Sequence, residues 1–382
     1  MGTTTSGLEG VVAGESELCY IDGYQGILSY RGYNIHTLAE NAIFEEVVFL
    51  LWNGWLPTQP ELDGLKRDLV VARPLPSRVV DFLKIVPPTA NPMDVLRTAV
   101  SMLGMLDPEE PDTSVEANRR KCVRLMSQTA TITATYNRLR KNLPPVDDDP
   151  ALGFAANFLY TLTGKRPDDV MEHAFDVALI LHADHEFNAS TFAARVTAAT
   201  LSDIYSAIVA GIGALKGPLH GGANRDVITW LLGLDDEEAA VQGVRDALAR
   251  KEKLPGFGHR VYRTEDPRTT HLRALSEELG KRTGFEKLYR LSKRMEEVAK
   301  SIKDLNPNVD FYSGSMYYSL GIPIDLYTTI FAISRMSGWT AHMLEQYRNN
   351  RLIRPRAEYK GNPDGQPWVP ILSRQAHTGI HG

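Results

Sequence analysis

Residues 189–215 read ASTFAARVTAATLSDIYSAIVAGIGAL, and this stretch decides the fold class. It divides into two helical segments, 189–200 and 202–215, both rich in alanine and other small residues, as close-packed internal helices are. Segments 151–163 and 167–182 just upstream have the same texture. Further back, 44–52 reads as a buried helix, 92–106 as another, and 114–140 as a long amphipathic one. The run PPVDDDP at 144–150 breaks the series. Only residues 7–35 differ, being rich in Gly, Tyr, Val and Ile. There Asp22-Gly23 lies between short β-prone runs and predicts a small hairpin rather than an extended sheet. No repeat of fixed period appears.

From about 220 to 320 the helices carry more Lys, Arg and Glu and alternate with Gly/Pro loops, as at 235–253 and 285–304. The apolar helical pattern returns at 324–347, and the tail after 351 is Pro-rich and irregular. The expectation is an all-α, two-domain chain. Residues 1–219 begin a large domain, 220–320 form a smaller inserted one, and 321–382 return to the large domain and end in a tail.

Composition excludes several classes. Of 382 residues, 43% are hydrophobic and 23% charged, ordinary for a soluble enzyme with ample length for a core. A net charge of −5 argues against a general nucleic-acid or anionic-membrane binder, so any anion recognition must be local. Two cysteines, Cys19 and Cys122, suggest no disulfide framework and fit a reducing cytoplasm. No apolar run is long enough to span a bilayer and no signal segment opens the chain. Met1-Gly2-Thr3-Thr4-Thr5-Ser6 matches a myristoylation pattern by letter, read here as chance because no polybasic second signal follows.

The chemistry gathers in three loops and two helices. Residues 254–268, LPGFGHRVYRTEDPR, open with a Pro-Gly-Phe-Gly run that forbids regular helix and lets backbone approach a ligand. His259 follows, then Arg260 and Arg263. Asp266-Pro267 is a helix start, with Asp as N-cap and Pro at the first helical position, so Arg268 falls in the first turn. In KGPLHGGAN (216–224) a glycine-flanked histidine, His220, precedes a helix from 225 to 232. A positive helix end would lower its pKa, and a neutral imidazole can donate to a carbonyl oxygen as charge grows there. In LNPNVDFYSG (305–314) Asp310 sits among Val309, Phe311 and Tyr312, a setting that raises a carboxylate pKa toward that of a useful base. Alone it would read as an N-cap. HADHEFN (182–188) crowds ionisable groups at a helix end. His182, Asp184, His185 and Glu186 are all metal-ligand types, but the spacing is wrong for a helical histidine pair, and a ligand-contacting His185 near Asn188 reads better. Arg335 lies inside an apolar helix and needs a buried partner or a ligand carboxylate.

These strings together resemble the citrate synthase family. GPLHGGAN, GFGHRVYRTEDPR and PNVDFYSG carry His220, His259 and Asp310, which look like its catalytic triad. HADHEFNAST, SRMSGWTAH and RPRAEY support them, and the resemblance runs from GLEGVVAGES near the start to the RPR of the tail. It implies condensation of acetyl-CoA with oxaloacetate by Asp310 as base, His220 as donor to the thioester oxygen and His259 polarising the ketone. It implies oxaloacetate contacts from His185, Arg268, Arg335 and Arg354, the last donated across a homodimer interface. For CoA it implies Leu254, Pro255, Gly256, Phe257 and Gly258 toward the adenine, Arg263 with Arg260 toward the phosphates, and Asn308. It also implies closure of the small domain on the large one, no metal or other cofactor, and neither an extra N-terminal domain nor NADH control. The alternative within the family is 2-methylcitrate synthase, which uses propionyl-CoA. The alternative from another class is a metal-dependent hydrolase built on His182, Asp184, His185 and Glu186.

Overall fold

The computed structural model describes residues 6–8, 10–361 and 365–374. The myristoylation-like start, Met1 to Thr5, lies outside the described residues. The chain forms two compact units, Ser16–Ile353 and a smaller one of Met1–Glu15 with Arg354–Gly382. In the smaller unit Arg374 lies over the indole of Trp368, 4.9 Å from its ring centre, and donates to the Val369 carbonyl.

The larger unit opens with a three-stranded antiparallel sheet, β1 (Cys19–Asp22), β2 (Ile27–Tyr30) and β3 (Tyr33–Asn34). Asp22 pairs with Ile27, so the expected turn is there, and a third short strand extends the hairpin. The Asp22 carboxylate closes the turn by accepting from the Tyr24 and Gln25 amides.

Sixteen α-helices follow among the described residues. The first five are α1 (Ile35–Asn41), α2 (Phe44–Asn53), α3 (Gln59–Val71), α4 (Ser77–Ile85) and α5 (Pro92–Leu106). Next come α6 (Val115–Leu139), α7 (Phe154–Thr163), α8 (Asp169–His182), α9 (Ala189–Ala198) and α10 (Ile204–Leu215). Then α11 (Ala223–Leu232), α12 (Glu237–Ala249), α13 (Pro267–Thr283), α14 (Glu286–Lys303) and α15 (Val309–Ser319) lead to α16 (Tyr327–Arg348). The all-α reading therefore holds. Helix starts follow side-chain caps: Asn188, Asp203 and Asp266 each accept from an amide of the first turn of α9, α10 and α13.

The small residues of 189–215 do what their texture demands, letting α9 and α10 pack closely against each other and against α16. Trp339 of α16 is fully buried there, and its indole N–H donates to Ser190 Oγ at 3.2 Å. Helices α11 to α15 pack chiefly on one another, α13 on α15, α12 on α14 and α11 on α15. Helix α13 also meets α1 and α8. No helix among the described residues is long and apolar enough to cross a membrane.

Candidate active site

Within the larger unit the singled-out side chains stand at helix ends or in the loops between helices, apart from Arg335, which is mid-way along α16. His185 lies between α8 and α9, His220 between α10 and α11, and His259 between α12 and α13. Asp310 is in the first turn of α15 and Arg268 in the first turn of α13.

The loop that carries His259 is fastened to the start of α15. Gly258 N–H donates to the Asn306 carbonyl at 2.9 Å and Asn308 N–H to the Gly256 carbonyl at 2.8 Å. Gly256 has φ +75°, and a Cβ there would come within 2.7 Å of Val227 and 2.9 Å of Phe311, so only glycine fits. On its other side the loop leans on the N-terminal hairpin, where Arg263 N–H donates to the Gly23 carbonyl. Leu254 and Gly256 are buried, Pro255 and Phe257 half-buried, and Gly258, Arg260 and Arg263 exposed.

The N-cap of α15 is Asn308, not Asp310. Its side-chain oxygen accepts from the Asp310 amide at 3.0 Å, and its Nδ2 donates to the Gly258 carbonyl at 2.9 Å. Asp310 is thereby freed from capping. Its Oδ1 is buried without a hydrogen-bond partner, and burial pushes its pKa up to about 6 against the opposing charge of Arg268.

The histidines are neutral donors. Burial, then the charge of Arg335, holds His220 at about 4. The Ser190 amide, one of the unpaired N–H groups at the start of α9, lies 3.2 Å from His220 Nε2. Ser190 Oγ is 2.8 Å from the same nitrogen. With Nε2 accepting from that amide, the neutral ring carries its proton on Nδ1. His259 is also held at about 4 by burial and by Arg268. Its Nδ1 accepts from the Val261 and Tyr262 amides at 3.0 and 3.2 Å, which leaves the proton on Nε2. His185, held well below its usual range by burial and Arg268, packs edge-on to His259 with ring centres 5.2 Å apart.

Two buried arginines bring positive charge. Arg268 forms a two-pronged pair with Asp266, 2.9 Å from Nε to Oδ1 and 2.7 Å from Nη2 to Oδ2. Arg335 donates from Nε to the His182 carbonyl at 2.8 Å, stacks 4.8 Å from the Phe331 ring centre, and leaves Nη1 buried without a partner. A buried guanidinium nitrogen with no acceptor is costly, and an anionic ligand would satisfy it. Arg354 belongs to the other unit, where it is exposed.

The HADHE quartet does not form a ligand set. Asp184 pairs with His342 at 3.2 Å, His182 Nδ1 meets the Ala178 carbonyl, and His185 Nε2 meets Tyr262. Among the described residues no three His, Cys, Asp or Glu side chains are grouped to hold a metal. Sequence reading misses Ser190 and Tyr262, and takes Asp266 only as a cap rather than as the partner of Arg268. All three lie inside the quoted strings, but their partners are distant in the chain or fixed only by the fold.

A buried carboxylate with a raised pKa can serve as a base, neutral imidazoles can donate hydrogen bonds, and a buried guanidinium with a spare N–H can receive an anion. The family model for the citrate synthase C-terminal domain matches residues 7–356. Citrate synthase 2 of Bacillus subtilis is 52% identical, over 97% of this chain and 100% of that one. A 2-methylcitrate synthase of Shewanella oneidensis is 43% identical, over 97% and 98%. The citrate synthase of Thermoplasma acidophilum, solved as a ternary complex with carboxymethyl coenzyme A and oxaloacetate, superposes with a TM-score of 0.92 at 34% identity, covering 98% and 100%. The chain belongs to the citrate synthase family, which makes it an acyltransferase.

Proposed function

We propose that this chain condenses acetyl-CoA with oxaloacetate and water, giving citrate and CoA. The observation that carries the reading is Asp310, a buried carboxylate with one unpartnered oxygen, in a site whose histidines are neutral donors.

Asp310 takes a proton from the methyl group of acetyl-CoA. A thioester methyl is a far weaker acid than a carboxylic acid, so charge on the thioester oxygen must be stabilised as the proton leaves. His220 Nδ1–H is the donor for that oxygen. The enolate carbon then attacks the ketone of oxaloacetate, and His259 Nε2–H polarises the ketone oxygen by hydrogen bonding as negative charge moves onto it. Hydrolysis of citryl-CoA releases CoA. Arg268 and Arg335, with His185, hold the carboxylates of oxaloacetate, and the partner subunit's Arg354 completes that set in a homodimer. The 254–258 loop receives the adenine, Arg263 and Arg260 the phosphates, and Asn308 supports the loop. The segment 220–320 moves as the small domain and closes over the cleft, a reading supported by α11 to α15 packing chiefly on one another. Side chains supply both proton removal and polarisation, so the reaction calls for no metal or other cofactor, and a cytoplasmic setting fits.

The test is release of CoA thiol by purified protein given oxaloacetate with acetyl-CoA or propionyl-CoA, with and without chelator. Release that needs oxaloacetate, prefers acetyl-CoA and ignores chelator is expected. Preference for propionyl-CoA would assign 2-methylcitrate synthesis instead, and loss with chelator would sink the metal-free mechanism.

A further inference from the structure

His220 and His259 have their tautomers set by backbone amides, but His185 does not. Its Nε2 lies 3.2 Å from the hydroxyl of Tyr262, with ring centres 5.6 Å apart. Tyr262 is 4% exposed, and its ring also packs on His259 at 4.7 Å between centres. Its amide is one of the two donors to His259 Nδ1. One residue thus touches both histidines of the ketone side of the site.

We propose that Tyr262 is a positioning residue that fixes His185 as a hydrogen-bond donor to the anionic substrate. A neutral imidazole has a single N–H. If the Tyr262 hydroxyl donates to Nε2, the proton stands on Nδ1 and that nitrogen can donate to a carboxylate or ketone oxygen. With the other tautomer, Nδ1 would present a lone pair to an anion, which repels it. A donating hydroxyl therefore selects the tautomer that binds. This rests on the reading of oxaloacetate as substrate.

The variant is Tyr262→Phe, which keeps the ring and its packing and removes only the hydroxyl. In protein labelled with 15N-histidine, with His185→Gln used to assign the resonance, wild-type His185 is expected to be protonated at Nδ1. In Tyr262→Phe the signal should move toward the Nε2-protonated or averaged form. The KM for oxaloacetate should rise about 10-fold, the size of one hydrogen bond to a charged group, with kcat and the KM for acetyl-CoA changed far less. An unchanged His185 tautomer, or an oxaloacetate KM within about twofold of wild type, well under the cost of a lost hydrogen bond, would overturn the proposal. The tautomer is read without substrate, so its failure is distinguishable from failure of the synthase reading, which shows as no oxaloacetate-dependent CoA release by the wild type.

Discussion

Folding makes Asp310 a poorer ion and a better base. Its pKa of about 6 lies above the ordinary aspartate value because burial disfavours the charged form. The carboxylate therefore costs stability once it ionises: the penalty is absent below the unfolded pKa, grows as pH rises from about 4 to about 6, and is fully present above, at up to about 3 kcal/mol. Asp310→Asn should lower kcat/KM about 1000-fold, within the range of a lost general base. The same change should raise the unfolding midpoint at pH 8 more than at pH 4.5. An equal gain at both would show that ionisation is not the cause. In the wild type kcat/KM should fall as pH drops through about 6, with His220 and His259 already neutral there at their values of about 4.

At the scale of elements, Asn308 joins two pieces of the site, capping α15 through its oxygen and holding the His259 loop through its Nδ2. Asn308→Ala should cost about 1 to 2 kcal/mol from the lost cap, read by denaturant unfolding. It should also raise the KM for acetyl-CoA, because the loop loses its tie; an unchanged KM would mean that the backbone bonds of Asn306 and Gly256 suffice. Local signals make much of this readable in the sequence. Asp266-Pro267 starts α13 as expected, and the small residues of 189–215 give α9 and α10. The helices α1, α3 and α4 escape that reading, and Asn308 rather than Asp310 is the cap. Contacts such as Ser190 to His220 or Tyr262 to His185 join residues 30 and 77 apart, and no local pattern encodes them.

At the scale of the whole molecule, the proposed dimer makes each site depend on two chains, because Asp310 and Arg354 would come from different subunits. That arrangement can be tested by complementation. Asp310→Asn and Arg354→Ala proteins should each be nearly inactive as homodimers. In a mixed dimer, the site with Asp310 from the Arg354→Ala chain receives Arg354 from the other chain and is whole, while the second site lacks both groups. Random reassortment makes half the dimers mixed, with one whole site of two, so denaturing and refolding an equal mixture should restore about a quarter of the wild-type rate in a closed two-fold dimer. A mixture no more active than its components would place both residues in one chain's site or remove Arg354 from the chemistry.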